Sequence, residues 1–184
     1  MRYPKEVVLK DKTEATIRPL AEADVSALKT FYVGIPEDEL WYMRYDVMNP
    51  AVVREWFEAM KQGGIFSTVA TQADRILAHA RLHMQGYGCT KHIGRLRIQI
   101  LPEFRRLRLG TWMLLDLIQL GMDKGLDDIR ADFVIGVEDS AIEAAHKLDF
   151  FKMAILNEFV KGPDGSRYDL QIMIKRLHRT WGDY

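Results

Sequence analysis

The sequence predicts an α+β fold, in which one mixed and mostly antiparallel sheet is accompanied by helices at intervals along the chain. Short apolar runs separated by turn residues recur along the sequence, which is typical of hairpins. Between these runs lie segments with apolar residues at helical spacing. At 184 residues the chain is long enough for one sizeable core, and we expect residues 1–184 to form a single domain.

The composition argues against several classes of protein. Hydrophobic residues make up 48% and charged residues 28%, which disfavours disorder. Lys+Arg and Asp+Glu are 26 each, so no global field would attract nucleic acid or an anionic membrane. No stretch approaches the ~20 apolar residues of a membrane span, the first residues lack a signal-peptide pattern, and the single cysteine, Cys89, suits a reducing compartment. We therefore expect a cytoplasmic protein without nucleic-acid or membrane partners.

The first third of the chain predicts a hairpin and then two helices. Capping, turn and termination signals mark the ends of these elements. The predicted elements are strands at 7–9 and 15–17, a helix over 21–32, and a helix that opens at Asn49-Pro50 and ends at Gly63-Gly64.

The segment between these two helices, residues 37–45, is dense in acidic and aromatic residues. Two interpretations remain open. The segment is either a connector whose aromatic side chains pack on the sheet, or a loop that faces a substrate through residues such as Glu39 and Tyr42.

The rest of the chain predicts a run of strands and two further helices. A capping box at Ser140–Glu143 marks the start of the second helix. The elements are strands at 66–71, 76–85, 92–101 and 129–137, a helix from near Thr111 to Gly125, a helix from 140, and a hairpin of 151–160 with 167–176. The tail, residues 177–184, has no strong pattern.

A basic loop, Arg105–Gly110, joins the strand that ends near Leu101 to the helix that begins near Thr111. The first turn of a helix leaves backbone N–H groups unpaired, and the helix dipole puts partial positive charge there. The loop and the helix start therefore predict a binding site for a phosphate group.

With these elements in place, residues 14–176 resemble the GNAT family of N-acetyltransferases. The family signature is a strand, then Gln/Arg-x-x-Gly-x-Gly/Ala, then a helix. The matching run is Arg105–Gly110, where Arg105 and Gly110 agree and Arg108 replaces the middle glycine.

A second family feature corresponds to residues 141–150. Ala141, Leu148 and Phe150 match it, whereas Ala145 stands in place of a tyrosine and Asp149 in place of a glycine. The opening segments 9–11 and 17–20, with Asp24, are similar to the bacterial protein-lysine acetyltransferase branch of the family.

The resemblance implies a GNAT-like mixed sheet flanked by helices on both faces, with a core over 14–176. It implies acetyl-CoA as the acyl donor and a primary amine, on a small molecule or a protein lysine, as the acceptor; it implies no metal and leaves a homodimer open. Transferred position by position, the cofactor-binding residues are Ile100, Leu101, Arg105, Arg106, Leu107, Arg108, Leu109, Gly110, Thr111, Glu138 and Ala141.

The departures from the family pattern bear on catalysis. Ala145 cannot donate a proton to a leaving thiolate, and Arg95 occupies the place where many relatives have a glutamate base. Arg108 is either costly, if the loop needs glycine, or helpful, as a third guanidinium beside a phosphate. The alternative to an enzyme is therefore a domain that binds acyl-CoA, or serves as an interaction scaffold, without turnover.

Strand periodicity adds a second candidate region. His79, Arg81 and His83 share one face of their strand. A second polar row, on the next strand, is formed by Arg95, Arg97 and Gln99. This polar patch is either a solvated face or, if helices cover it, the lining of an acceptor cleft that prefers a carboxylate or phosphate near the amine.

Candidates for the general base follow from this patch. His83 or His79 is the expected base because an unperturbed histidine titrates near neutrality. Asp132 and Glu138 are weaker acidic candidates.

Overall fold

The computed structural model describes residues 3–177, which form one eight-stranded sheet with helices on both faces. The expected α+β class is therefore confirmed. The strands are β1 (Lys5–Val8), β2 (Glu14–Pro19), β3 (Ile65–Gln72), β4 (Arg75–His83), β5 (Ile93–Ile100), β6 (Asp128–Val134), β7 (Phe151–Lys161) and β8 (Arg167–Arg176). The helices are α1 (Val25–Val33), α2 (Glu37–Trp41), α3 (Pro50–Lys61), α4 (Leu109–Asp123) and α5 (Asp139–His146).

The strand order is β1-β2-β3-β4-β5-β6-β8-β7. Only β5 and β6 pair in parallel, and all other neighbours are antiparallel. Helices α4 and α5 pack against one apolar cluster, and α1 and α3 pack against a second cluster. The core is thus divided between the two faces of the sheet. None of the helices in the described residues is long and apolar enough to cross a membrane.

Local sequence signals explain where several helices begin and end. Asn49 caps α3 by accepting a hydrogen bond from the backbone N–H of Ala51, and Pro50 occupies its first turn. Helices α3 and α4 are followed by Gly63 and Gly125, which adopt φ values of 76° and 75° that suit glycine.

Some sequence-based boundaries are wrong. Ser140 lies inside α5 and does not cap it, because Glu138 holds the cap position and Asp139 binds the backbone N–H of Gly136. Strand β6 ends at Val134, since the following residues turn into α5. The short helix α2 was not predicted. Residues 178–184 of the predicted tail lie outside the described residues.

The packing of α4 on the sheet gives a test of the core. Leu117 is fully buried, whereas Leu115 on the same helix is 40% exposed. We expect Leu117→Ala to lower the free energy of unfolding by about 2–5 kcal/mol because it leaves a cavity. Leu115→Ala is the matched control and should change it by less than about 0.5 kcal/mol. Denaturant unfolding of both variants measures the difference, and equal effects would contradict the described orientation of α4.

Candidate active site

The central feature of the site is a gap between two parallel strands. Strands β5 and β6 pair only from Ile93 to Arg95, opposite Asp128 to Arg130. Beyond this point β6 continues to pair with β8, and β5 continues to pair with β4. The two strands therefore part, and main-chain groups of residues 96–100 that face the gap have no partner on β6.

A cavity of about 640 Å³ opens at this gap. Strands β4, β5 and β6, the segment 42–45 and the β7–β8 hairpin all contribute to its lining. Its polar lining includes Tyr42, Arg44, Tyr45, Arg81, His83, Gln85, Thr90, Arg95, Arg97, Arg130, Asp132 and Glu138. Residues 42–45 thus line the cavity, and Leu40 and Met43 of the same segment pack against the apolar cluster beneath α1 and α3.

The two polar rows predicted on β4 and β5 lie on one face of the sheet. His79 pairs with Gln99, Arg81 with Arg97, and His83 with Arg95. Directly opposite residues of an antiparallel pair point to the same side. Helices α1 and α3 cover this face at His79 and Arg81, so the interpretation of a solvated face is wrong there.

His79 is part of the buried core. It is fully buried, and its Nδ1 and Nε2 are hydrogen-bonded to the hydroxyls of Tyr32 and Ser67 at 2.7 and 2.6 Å. Burial and the charge of Arg81 hold the pKa of His79 well below its usual value. The expectation of a catalytic base at His79 is therefore wrong, because both ring nitrogens already have partners and none faces the cavity.

His83 lies at the cavity wall and stacks on the ring of Tyr45. Desolvation lowers its pKa to about 4, with further contributions from Arg81, Arg44 and Arg95. The ring is thus neutral at pH 7 and can accept a proton. The lowered pKa makes His83 a weaker base than an unperturbed histidine.

Two ion pairs bridge the gap between β5 and β6. Arg95 Nη2 lies 2.6 Å from Asp132 Oδ2, and Asp132 also pairs with Arg130 at 2.6 Å. Arg97 Nη2 lies 2.8 Å from Glu138 Oε1. The other oxygen of Glu138 accepts the backbone N–H of Val134 at 2.9 Å. Both weaker acidic candidates are therefore engaged with arginines.

Arg81 is a residue that sequence reasoning placed on the polar face but did not assign to the site. It is 2% exposed and lies over the Trp56 ring, 3.9 Å from its centroid. Burial and the charge of Arg97 lower its pKa. The alternation along β4 was the only signal for it, because Trp56 reaches it from a distant helix.

The basic loop contains one arginine that is already paired. Arg105 binds both carboxylate oxygens of Glu39, at 2.8 and 2.7 Å, and donates from Nε to the carbonyl of Ile100. Arg105, predicted to bind the cofactor, is thus paired with Glu39, predicted to bind the substrate. Glu39 is not among the residues that line the cavity. This pair fixes α2 to the end of β5.

The other two loop arginines are exposed beside the N-terminus of α4. Arg106 and Arg108 adopt left-handed backbone conformations, with φ of 59° and 70°, and Arg108 is the residue that precedes the helix. Neither forms an ion pair with the described residues. A Cβ on Gly110 would lie 2.9 Å from Ile100 Cδ1, so α4 packs closely on β5. Two free guanidinium groups and a helix N-terminus together suit an anion such as a pyrophosphate.

The remaining predicted residues fall into two groups. Tyr42 lines the cavity and packs edge to face on Tyr168, whereas Gln99 is buried and lies outside the lining. The others surround the start of α4 or lie on α5, with Leu101 and Leu109 buried and the rest partly exposed: Ile100, Leu107, Thr111 and Ala141.

The depressed pKa of His83 predicts a pH dependence of stability. Between pH 6.5 and about 4 the unfolded chain protonates this histidine while the folded chain keeps it neutral. The unfolded state then binds more protons, so the free energy of unfolding should fall as the pH falls through this window. His79 contributes in the same direction.

Denaturant titrations at several pH values test this expectation. His83→Gln should make the dependence shallower, because glutamine does not titrate. His146→Gln, at an exposed position on α5, is the matched control. An identical slope in the two variants would show that His83 is not held neutral by its surroundings.

Comparisons with known proteins identify the fold. No family model and no curated protein matches this sequence. Among solved structures, an N-acetyltransferase from Staphylococcus aureus Mu50 matches with a TM-score of 0.77 and 18% identity, over 90% of this chain and 100% of the other. A Salmonella typhimurium protein with its cofactor acetyl-CoA matches with a TM-score of 0.77 and 19% identity, over 91% and 96% of the two chains.

An acetyltransferase of the GNAT family from Streptococcus pneumoniae matches with a TM-score of 0.77 and 18% identity, over 88% of this chain and 99% of the other. These likenesses do not single out the protein-lysine branch. They extend over nearly the whole described chain and confirm the expected architecture. The chain therefore has the fold of the GNAT N-acetyltransferases.

Proposed function

We propose that this protein is an acyl-CoA-dependent N-acetyltransferase that moves an acetyl group to a primary amine. The observation that carries the proposal is the parting of β5 and β6, which opens a cavity beside main-chain groups of β5 that have no partner on β6. The basic loop and the start of α4 follow directly from β5, so the same strand connects an anion site to the gap. The acceptor is a small-molecule amine or a protein lysine.

The residues at the start of α4 fit an acetyl-CoA donor. Arg106 and Arg108 are free to pair with phosphate oxygens, and the first-turn N–H groups of Leu109, Gly110 and Thr111 are donors that a helix leaves unpaired. Arg105 acts indirectly, because its guanidinium is held by Glu39. It fixes the loop and does not bind the phosphate itself.

Bound acetyl-CoA supplies a thioester, whose acetyl carbon forms a bond to the amine nitrogen as its bond to sulfur breaks. The protein acts mainly by positioning the two reactants. Main-chain groups of β5 that face the gap orient the reacting carbonyl, and the cavity holds the amine. His83 is the proposed acceptor of the amine proton, since it is neutral at pH 7. Ala145 leaves no acid at the family's tyrosine position, so the thiolate takes its proton from solvent.

Thiol release with acetyl-CoA and a panel of amines tests the activity. The panel should include amino acids, simple alkylamines and a lysine-containing peptide. We expect release with at least one acceptor class, and calorimetry should detect acetyl-CoA binding. Binding without release across the panel would instead show a domain that holds acyl-CoA without turnover. No binding at all would contradict the proposal.

The role of His83 is tested with the acceptor found in this way. His83→Gln should lower kcat on the order of 10²-fold, with a smaller effect on KM, because the variant cannot accept a proton. His146→Gln should leave both constants unchanged. Unchanged turnover in His83→Gln would remove this residue from the mechanism.

Replacing Arg108, which has a left-handed backbone conformation, should change stability and acetyl-CoA binding in opposite directions. Arg108→Gly should raise the free energy of unfolding by about 1 kcal/mol, because glycine adopts a φ of 70° without the Cβ penalty. The same change should weaken acetyl-CoA binding about tenfold, through the loss of a charge-assisted contact of ~1.4 kcal/mol.

Asp149→Gly is the matched control for this variant. Asp149 also has a left-handed backbone, with φ of 59°, but lies after α5 and away from the basic loop. The control should affect stability in the same direction and leave acetyl-CoA binding unchanged. Calorimetry and denaturant unfolding give both quantities, and unaltered binding in Arg108→Gly would exclude a contact between this guanidinium and the donor.

A further inference from the structure

Arg81 is a buried cation that has no acidic partner. Its side chain is 2% exposed, and its Nε and Nη1 have no hydrogen-bond partner among residues 3–177. The ring of Trp56 attracts the cation from one face but does not accept its in-plane N–H groups. Buried polar groups are normally hydrogen-bonded, so a guanidinium that belongs to the lining of a cavity and leaves two donors without partners indicates an anionic ligand.

The carboxylates of the cavity do not supply this partner. Asp132 is shared by Arg95 and Arg130, and Glu138 is paired with Arg97. The lining therefore holds five arginines against two carboxylates: Arg44, Arg81, Arg95, Arg97 and Arg130, with Asp132 and Glu138. This surplus of positive charge attracts an anion, and Arg81 is the member of the set that is both buried and unpaired.

The register places Arg81 close to the gap. It lies directly opposite Arg97, which stands on β5 where that strand has parted from β6. An anion held between β4 and β5 is then about one strand spacing, ~4.8 Å, from the gap. The long side chain of Arg81 can hold the anion nearer to the gap than this, so an amine and an acidic group that are separated by a few bonds can occupy the two positions.

We propose that the acceptor is a small amino acid whose carboxylate pairs with Arg81 while its amine lies at the gap. This inference rests on the proposed acetyl transfer and names its substrate class. A planar carboxylate can accept two parallel hydrogen bonds from the edge of a guanidinium that carries Nη1 and Nη2, and Nη1 of Arg81 has no partner among the described residues. A protein lysine does not meet this requirement, because its amine ends a long aliphatic chain that carries no carboxylate nearby.

The rest of the lining favours an apolar side chain on this amino acid. A cavity of about 640 Å³ is the size of a small-molecule site. Apolar groups on several of its walls include Met43, Met84, Leu96, Val134, Phe159 and Leu170. Leucine is therefore a suitable probe, and it has matched analogues that lack the charge or the whole carboxyl group.

The first experiment compares leucine, leucinamide and isoamylamine as acceptors in the thiol-release assay. All three offer a primary amine on the same carbon skeleton, but only leucine carries a carboxylate. We expect kcat/KM for leucine to exceed that of the other two by about 100-fold, as a charge-assisted bidentate contact allows. Equal values for the three compounds would overturn the proposal.

The second experiment assigns the preference to Arg81. Arg81→Met keeps the apolar stem and removes the charge, so kcat/KM for leucine should fall about 100-fold while that for isoamylamine changes little. Arg81→Lys should restore part of the loss, because it returns a charge without the planar fork. Arg54→Met, at an exposed site on α3, is the matched control and should match the wild type. An undiminished leucine preference in Arg81→Met or Arg81→Lys would refute the assignment.

Thermal unfolding without acetyl-CoA separates this inference from the proposed activity. Leucine should raise the Tm of the wild type and of Arg54→Met. The rise should be smaller in Arg81→Met and in Arg81→Lys. Leucinamide should have no such effect. A leucine-specific shift without any acetyl transfer would support the carboxylate site and reject the transferase. Transfer to all amines without a leucine-specific shift would support the transferase and reject the carboxylate site.

Discussion

The rest of the site depends on how the gap between β5 and β6 is held open. The backbone pairing stops after Arg95, and ion pairs between side chains connect the elements from there. Arg95 pairs with Asp132 on β6, and Arg97 pairs with Glu138 at the start of α5. These charge-assisted contacts are made at the ends of long side chains and not by backbone groups, so they connect the two elements without closing the gap. They also engage Arg95, whose guanidinium joins β5 to Asp132 on β6.

This bridging has an electrostatic consequence for the cavity. Each carboxylate that could neutralise a buried arginine, or serve as a base, is committed to a bridge. Arg81 has no acidic partner among the described residues and lies over the Trp56 ring, and burial together with the neighbouring arginines lowers the pKa of His83. The bridges thus hold the gap and leave Arg81 without a carboxylate, and burial adds to the arginine charges in making His83 a weak base.

The sequence predicts the parts of this structure that depend on local pattern. The polar face of β4 and β5 follows from a period of two and from a hairpin, and the cap of α3 follows from Asn49 and Pro50. The contacts that decide the chemistry join residues far apart in the chain. Glu39 lies 66 residues from Arg105, and Tyr32 lies 47 residues from His79. No local pattern could show that the first pair occupies a loop arginine or that the second buries a candidate base.

The positive cavity also changes what a catalytic base must do. A bound ammonium group near several arginines is disfavoured relative to the neutral amine, because like charges lower its pKa. The acceptor would then lose its proton more readily on entering the cavity, and a weak base such as His83 could suffice. A carboxylate on the acceptor would neutralise Arg81 but would leave Arg44, which also lines the cavity, beside the site. In the proposed reaction the surplus of arginine would therefore favour the amine in the form that attacks a thioester.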